Sequence, residues 1–273
     1  MTYKKNIPDH VKERWIKLNP NYTIDFSLDS DCISFLEQHF NSYVARLFQT
    51  IPKGMYKADL WRLCKLYIEG GVYADVDLVP YVNIDSILEE TTATFYSCKS
   101  IDSRSIFQAF MIVREKHSPL ILAFLLSFLI VNPYKRHNGP TYDMYNCLSR
   151  AISSPRIESE KYYMFSSIPI EISIPWSSTN KVSIPLHYFP SDVHYTIKGE
   201  TNLYSYHIRD HQLEVESNYV IKNHICTIIL SCKEEIYLFP EKKGDHWYDS
   251  YVTNGKNKIL DSRDIRYFKN KGW

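Results

Sequence analysis

Apolar and polar positions in the first half of the chain follow patterns that predict helices and strands in turn. Val11, Trp15 and Leu18 recur at helical spacing after Pro8, which predicts a helix over residues 8–18. A second helix is predicted to run to about residue 39, with Ser30 or Asp31 as its N-terminal cap. Apolar spacing and a glycine stop predict further helices over residues 55–69, 120–131 and 142–153. Short apolar runs predict strands over 22–26, 72–79 and 107–113, and the sequence at 138–140 predicts a turn.

The second half of the chain has a different pattern, in which short β-prone pieces are separated by prolines at 169, 175, 185 and 190. Further strand candidates lie at 226–232 and 235–239. Helices alternating with strands early, and mixed strands late, predict an α/β class. No repeat or linker divides the chain, so we expect one domain over 1–273, with an α/β part over 1–160 and a β-rich part over 161–273.

Composition and charge exclude several classes of protein. The net charge of +1 gives no global field that would draw the chain to nucleic acid. Six cysteines occur without a C-x-x-C pair, so neither a zinc site nor a disulfide framework is indicated. The apolar run at 120–131 is too short to cross a bilayer, and the first 16 residues lack the apolar core of a secretory signal. These features predict a cytoplasmic protein without a transmembrane segment.

The segment over residues 57–78 carries the candidate chemistry. Asp59 and Arg62 are three residues apart on the predicted helix and share a face. Tyr73, Asp75 and Asp77 alternate along the predicted strand and would share one of its faces. A pair of glycines at 70–71 allows a tight reversal that brings the polar helix face beside the two carboxylates.

Two carboxylates near the end of a strand are suited to a hard divalent cation. Mg²⁺ or Mn²⁺ commonly takes one or two protein carboxylates together with water and substrate phosphates. Arg62 could add a fixed positive fork for a phosphate or sugar oxygen. Each piece alone also has an ordinary structural explanation: Asp59 and Arg62 as a helix pair, Asp75 and Asp77 as structural residues, Tyr73 as packing. Their conjunction within 22 residues favours a functional site.

At this segment the sequence resembles a known family. The pattern Ala-Asp-x-x-Arg-x-x-x-Leu-x-x-x-Gly-Gly-x-Tyr-x-Asp-x-Asp, over residues 58–77, resembles the signature of the DXD sugar transferases of glycosyltransferase family 32. Fungal α-1,6-mannosyltransferases belong to that family, and the catalytic domains of glucosylating bacterial toxins share the motif. Weaker similarity covers the opening helix, residues 107–111, the Gly-Pro at 139–140 and residues 246–251. The resemblance implies a GT-A (Rossmann-like) nucleotide-sugar-binding fold, in which helices flank a central mixed sheet.

The resemblance also implies roles for individual residues. Asp77 would bind the metal, Asp75 would reach it through water or hold the ribose, and His246 would complete the site. Asp75, Asp77, Asp59 and Arg62 form the implied catalytic set, with Mn²⁺ or Mg²⁺ as cofactor. Residues implied in donor binding are Tyr73, Asp59, Arg62, Gln108, Trp247, Ser250 and Tyr251. Gln108 stands where the family commonly has Asn, and Tyr251 where it has Trp.

The expected activity is retaining transfer of a sugar from a nucleotide-sugar donor, with a UDP-sugar favoured over GDP-mannose, to a glycan or protein acceptor. Two alternatives remain open. An Asp-x-Asp phosphatase would want a hydroxyl residue at Val79, which this chain lacks. Family members usually begin with a strand that leads to a Trp, and Tyr3 stands near the place of that Trp, so the strand has no counterpart in this sequence. This leaves open the alternative that the chain is a catalytically impaired relative that binds a sugar or a nucleotide.

Overall fold

The computed structural model describes residues 9–89, 92–100, 104–131, 139–190, 193–199, 203–243 and 250–261. Its helices are α1 (Asp9–Leu18), α2 (Asp29–His39), α3 (Ser42–Thr50), α4 (Gly54–Glu69), α5 (Ile84–Glu89), α6 (Pro119–Val131) and α7 (Gly139–Ala151). The five helices expected from apolar spacing are therefore present, each within three residues of the predicted ends.

The strands are concentrated after residue 160, as the sequence pattern predicts. They are β1 (Gly71–Ala74), β2 (Val79–Pro80), β3 (Phe95–Lys99), β4 (Phe110–Val113), β5 (Tyr162–Ile174), β6 (Lys181–Pro185), β7 (Tyr195–Gly199), β8 (Tyr204–Arg209), β9 (Gln212–Ser217), β10 (His224–Lys243), β11 (Ser250–Thr253) and β12 (Lys258–Asp261). The two predicted pieces at 226–232 and 235–239 belong to one strand, β10, with an irregularity in its register between Ser231 and Glu234.

A mixed sheet forms the centre of the fold. Its strand order is β1-β4-β3-β10-β11-β12-β2, and β5 and β7 also pair with β10. The β3–β10 pair is parallel, whereas the other pairs are antiparallel. A separate three-stranded sheet has the order β6-β9-β8. This curled mixed sheet with flanking helices is consistent with the predicted Rossmann-like GT-A class, while the division at residue 160 into two functional parts stays a prediction.

Helix α6 lies in the main core and is apolar on all sides. Its residues 120–126 are at most 2% exposed, so almost every side chain of this stretch is buried. The first turn of such a helix carries backbone N–H groups that need acceptors. Glu234, which is 5% exposed, supplies one: its carboxylate accepts from the Ser118 hydroxyl at 2.8 Å and lies 3.4 Å from the backbone N of Leu120. Thr94 donates a hydroxyl to the same carboxylate.

The predicted strand over 72–79 is wrong in its length, for a reason that matters to the site. Ladder pairing with β4 ends at Ala74, and the backbone N of Leu78 bonds to the carbonyl of Asp75 at 3.1 Å, which closes a turn. The chain then changes partner, because Val79 and Pro80 pair with β12. Asp75 and Asp77 therefore lie in a turn after β1 and not on one strand face.

Three other local predictions are corrected in a similar way. Residues 22–26 form no strand; they run along one wall of a cavity, where the Tyr22 hydroxyl donates to Asp85 at 2.7 Å. Residues 107–109 form a turn, so β4 begins only at Phe110. Gly139 and Pro140 begin α7 and do not make a free turn, since proline is well accommodated in a first helical turn; position 138 lies outside the described residues.

The first turn of α2 differs slightly from the expected cap. The helix begins at Asp29, and the Asp31 carboxylate accepts from the backbone N of Leu28 at 2.9 Å, so this side chain acts from inside the first turn. In the described ranges of the chain, no helix combines the length and apolar content needed to cross a lipid bilayer.

Candidate active site

Helix α4 carries Asp59 and Arg62 into the base of a large cavity. The two residues are three positions apart, so they share a face, and they are only 4% and 3% exposed. The guanidinium Nη2 of Arg62 lies 3.3 Å from Asp59 Oδ1, and Arg62 Nε donates to the Ala58 carbonyl at 3.1 Å. A helix that is buried on several sides thus holds an ion pair where solvent barely reaches it.

Two glycines return the chain from α4 to β1 beside that pair. Gly70 and Gly71 adopt φ angles of 66° and 87°, a left-handed conformation that other residues rarely take. A side chain on Gly70 would meet the carbonyl oxygen of Val113 at 3.2 Å, so the reversal is also closely packed. The reversal is tight enough that β1 starts immediately after the helix, which confirms the role expected of the glycine pair.

Strand β1 brings Tyr73 and the following Asp75 to Arg62. The Arg62 guanidinium lies over the Tyr73 ring, 4.6 Å from its centroid, and Arg62 Nη2 is 3.3 Å from Asp75 Oδ1. The Tyr73 hydroxyl donates to the same Oδ1 atom at 2.7 Å. Arg62 therefore has a carboxylate on each side and an aromatic ring beneath it, which fixes its position.

The turn after β1 places both carboxylates of the Asp-x-Asp pair on the cavity wall. Asp75 N donates to the Ala109 carbonyl at 2.9 Å, which ties the turn to the segment before β4. Asp75 and Asp77 both line the cavity and are partly exposed. The expected common strand face is wrong, yet the turn brings the two side chains into the same cavity.

Gln108 completes the buried polar group from the turn before β4. Its side chain is 8% exposed, and Nε2 donates to Asp59 Oδ1 at 2.7 Å. Oε1 is a buried atom without a hydrogen-bond partner among the described residues. Buried carbonyl oxygens normally have partners, so this unsatisfied acceptor belongs to a residue that lines the cavity and could meet a ligand hydroxyl or N–H group after a side-chain rotation.

The cavity has a volume of about 1050 Å³, which is at the upper end of what small-molecule sites usually enclose. Its lining combines α4 and the irregular segment 22–27 with the segment 105–109, the first turn of α7, the end of β10 and the start of β11. At these strand ends the Ser250 hydroxyl donates to Glu241 at 2.8 Å, and Ser100 donates to the same carboxylate at 3.0 Å. The space is sufficient for a ligand as large as a nucleotide sugar.

Burial and neighbouring charges together determine the pKa values of the inner residues. Burial raises the pKa of Asp59 from 3.8 to about 6, although the neighbouring Arg62 opposes the shift. Burial lowers the pKa of Arg62, but Asp75 and the other carboxylates raise it more, so it lies above its ordinary value. Burial also raises the pKa of Tyr73 well above 10. At neutral pH the group therefore contains a fixed cation, a neutral phenol and a carboxyl close to its titration range.

The donor set can be compared with what a divalent cation needs. Asp75 and Asp77 offer carboxylate oxygens on the cavity wall, and both contacts that Asp75 makes with Tyr73 and Arg62 use its Oδ1 atom. In the described part of the chain, no three His, Cys, Asp or Glu side chains are close enough to hold an ion by themselves. Mg²⁺ and Mn²⁺ do not require such a cage, because water and substrate phosphates complete their shell. The residues present fit a cation that arrives with its ligand.

The remaining expected site residues are distributed differently. Ser250 lines the cavity, but Tyr251 is not among its lining residues and instead lies 5.3 Å beneath the ammonium of Lys258. His246 and Trp247 are outside the described residues. Sequence reasoning did not anticipate Glu241, which joins Ser100 and Ser250, because it occupies an ordinary position on a long strand and no motif marks it.

Comparison with known proteins agrees with this geometry. Residues 9–94 match the profile of a glycosyltransferase sugar-binding region containing a DXD motif. A 76-residue segment is 33% identical to the initiation-specific α-1,6-mannosyltransferase of Candida albicans; this segment is 27% of the present chain and 20% of that protein. No solved structure matches the chain significantly. The matched region contains α4, the glycine reversal and the Asp-x-Asp turn, and together these findings support a glycosyltransferase assignment of the family 32 type for this chain.

Proposed function

We propose that this chain is a divalent-metal-dependent, retaining glycosyltransferase that takes its sugar from a nucleotide-sugar donor. The observation that carries the proposal is the placement of Asp75 and Asp77 on one cavity wall, with Arg62 3.3 Å from the first of them. Sugar transfer in general is supported by the family match and by the fungal relative. The metal, the donor and the stereochemical course go beyond those comparisons.

Asp75 and Asp77 would hold Mn²⁺ or Mg²⁺ together with the donor diphosphate. The cation would supply positive charge to the phosphate oxygens as the nucleoside diphosphate leaves. His246, outside the described residues, is the further ligand that the family resemblance implies. Tyr73 positions Asp75 by donating to Oδ1, and the other oxygen of that carboxylate would serve as the metal ligand.

The inner group would bind the sugar. Asp59 and Gln108 are joined at 2.7 Å and line the cavity, and a rotation of the Gln108 side chain would let its unpaired Oε1 accept a hydrogen bond from a sugar hydroxyl. Arg62 keeps its charge and would attract the phosphate side of the donor. The family resemblance implies front-face displacement, with the acceptor hydroxyl entering on the side from which the diphosphate departs.

The test is hydrolysis and transfer with a panel of UDP-sugars and GDP-mannose, with Mn²⁺ and with a chelator. Asp75→Asn and Asp77→Asn should each lower turnover by at least about 100-fold, because each removes a charge from the metal site. Asp9→Asn is the matched control, since Asp9 lies on the exposed surface of α1, where its carboxylate is 3.7 Å from the Lys12 ammonium.

Three results would contradict the proposal. Turnover that is unchanged in both site variants would remove the role of the two carboxylates. Activity that is equal with and without chelator would remove the metal. Binding of UDP or GDP that is indifferent to Mn²⁺, with no turnover on any donor, would instead identify a catalytically impaired nucleotide-binding relative.

A further inference from the structure

Three polar side chains from distant parts of the chain meet on the cavity lining, at a place that the proposed metal and sugar contacts do not include. Ser100 and Ser250 donate their hydroxyls to Glu241, at 3.0 Å and 2.8 Å, through separate oxygens of the carboxylate. All three residues are partly exposed and line the cavity. We name them the Ser-Glu-Ser cluster.

Strand direction places this cluster at the same edge of the sheet as Asp75. Strands β3 and β10 pair in parallel up to Lys99 and Pro240, and Ser100 and Glu241 are the next residues along the two strands. Strand β1 runs in the same direction as β3, because both pair antiparallel with β4, and Asp75 follows its last paired residue. In α/β sheets, ligands bind beyond the carboxyl ends of strands that run in one direction. The cluster therefore lies where the fold favours a ligand.

The strand order separates the cluster from the proposed metal site. Strand β10 is three places from β1 in the order β1-β4-β3-β10. Neighbouring strands are about 4.8 Å apart, so Glu241 lies on the order of 14 Å along the curved sheet from the end of β1. Among the residues that the structure describes, Glu241 forms no group with Asp75 and Asp77 that could hold an ion. The cluster is therefore suited to a part of the substrates other than the metal-bound diphosphate.

The direction of the hydrogen bonds determines which chemical groups the cluster accepts. A serine hydroxyl has one hydrogen, and in Ser100 and in Ser250 that hydrogen is directed to Glu241. Each serine therefore meets a ligand with an oxygen that accepts a hydrogen bond. Phosphate and carboxylate oxygens need donors and are disfavoured here, and the charge of Glu241 adds repulsion. Ligand groups that donate, such as sugar hydroxyls, are favoured.

An aromatic ring follows the same strand end. Ile106 bridges to Lys99, and the backbone N of Phe107 donates to the Cys98 carbonyl at 2.8 Å, so this segment runs beside the end of β3 that leads to Ser100. Phe107 is partly exposed and lines the cavity. Small-molecule sites usually combine apolar surface with a few polar groups that fix orientation. A sugar ring, with C–H faces and a rim of hydroxyls, matches that combination.

We propose that the Ser-Glu-Ser cluster is a subsite for a neutral sugar ring, whose hydroxyls donate to the oxygens of Ser100 and Ser250. Glu241 orients the two serines by accepting their hydrogens. Two rings of the proposed reaction have this chemistry, the acceptor sugar and the ribose of the donor. The inference rests on the proposed function, because both rings belong to its substrates.

The experiment measures binding to the full chain by calorimetry and saturation-transfer NMR with Mn²⁺ present, so that no turnover is needed. The probes are methyl α-mannoside and methyl α-glucoside with their monodeoxy analogues, and UDP and GDP with their deoxyribose analogues. Removing the hydroxyl that meets the cluster should weaken binding to the wild type about fivefold, as expected for one hydrogen bond. Ser100→Ala and Glu241→Gln should weaken the parent probe by a similar factor and should no longer distinguish it from that deoxy analogue.

The two sources of the ring are distinguished by the probe that shows this coupling. Coupling with a glycoside identifies the acceptor sugar, and coupling with a nucleotide identifies the ribose; either result supports the subsite. Ser100→Ala removes one oxygen from a partly exposed residue, so it provides the test even if Glu241→Gln fails to fold. Glu171→Gln is the control, because Glu171 pairs with Arg150 at 2.9 Å on the surface and does not line the cavity.

Other results would overturn the subsite. Losses that are additive for every hydroxyl, or a loss as large in Glu171→Gln, would exclude contact with the cluster. A weaker affinity for Mn²⁺ in Glu241→Gln would assign the carboxylate to the metal instead. Failure of every probe to bind the wild type would overturn the subsite and the proposed function together. Coupling without turnover on any donor would overturn the proposed function alone.

Discussion

Replacing Arg62 with methionine tests the central idea of the site, that one buried cation holds two carboxylates in place. Methionine has a similar length and leaves the apolar contacts of the side chain largely intact, so the change removes mainly charge. Within the described residues, Arg62 is the cation that contacts both Asp59 and Asp75. Removing one partner of a buried ion pair typically costs about 3–5 kcal/mol of folding free energy, because the other partner keeps an uncompensated charge.

The contribution of Asp59 to that cost can be bounded from its pKa. In the wild type the folded pKa is about 6 and the ordinary value is 3.8, so the folded state binds more protons between these values. Stability therefore falls as pH rises through this window, by about 3 kcal/mol, and levels off above pH 6. Without Arg62 the folded pKa rises further, and Asp59 can avoid ionisation by keeping its proton. Keeping the proton lowers the free energy of unfolding by about 1.36 kcal/mol for each pH unit above 6, or by at most about 2.7 kcal/mol at about pH 8.

Urea unfolding under reducing conditions, followed by circular dichroism at several pH values between about 5 and 8, measures the cost of the substitution and its dependence on pH. The free energy of unfolding of the wild type should level off above pH 6, and that of Arg62→Met should continue to fall. Arg150→Met is the matched control, because Arg150 pairs with Glu171 at 2.9 Å on the surface and its loss should cost less than about 1 kcal/mol at any pH. The reasoning is refuted if Arg62→Met costs less than about 1 kcal/mol at pH 8 and its pH dependence runs parallel to that of the wild type.

Three further substitutions address other parts of the structure, and urea unfolding measures each. Tyr73→Phe removes the hydroxyl that donates to Asp75 but keeps the ring, so it should cost about 1–2 kcal/mol; an unchanged stability would argue against that hydrogen bond. Glu234→Ala leaves the Ser118 hydroxyl and the first turn of α6 without their acceptor, whereas Thr94 keeps the Glu235 carbonyl, so it should cost about 2 kcal/mol; a cost below about 1 kcal/mol would contradict this account of the helix start. Gly70→Ala should be more destabilising than Gly71→Ala: both residues have a positive φ, but only at Gly70 would the new carbon meet a backbone oxygen, at 3.2 Å, and equal losses would contradict that close approach.

The sequence predicted the helices better than the strand ends, and the reason is physical. The register of α4 follows from its own apolar spacing and from the glycine that ends it, both of which are local. The end of β1 at Ala74 depends on distant partners, since β4 pairs with the chain up to that residue and β12 pairs with it again from Val79. Nothing in residues 72–79 themselves marks the change of partner.

The site shows the same division between local and non-local information. Spacing along the chain was sufficient to bring Asp59, Arg62 and Tyr73 together, because one helix and one reversal connect them. The hydrogen bond from Gln108 to Asp59 spans 49 residues and was indicated only by resemblance to a family. Glu241 was missed entirely, because its partner Ser100 lies 141 residues away and neither residue stands in a motif.

The buried cluster also determines how activity measurements on this chain have to be interpreted. Arg62 touches both carboxylates and lies over Tyr73, so any substitution in the cluster changes stability together with the shape of the cavity. A loss of turnover in Arg62→Met or Asp59→Asn would therefore not by itself distinguish a catalytic role from a local loss of structure.

Asp77 is more informative than the buried residues, because it is partly exposed and lines the cavity. It lies in the turn that follows Tyr73 and takes no part in the hydrogen bonds from Tyr73 to Asp75 and from Gln108 to Asp59. If the proposed metal site is correct, Asp77→Asn should lower the affinity for Mn²⁺ and turnover together. The free energy of unfolding should fall by less than about 1 kcal/mol, because Asp77 is partly exposed and water screens its attraction to Arg62. A fall in turnover with unchanged Mn²⁺ affinity and unchanged stability would place the carboxylate in contact with the substrate and not with the metal.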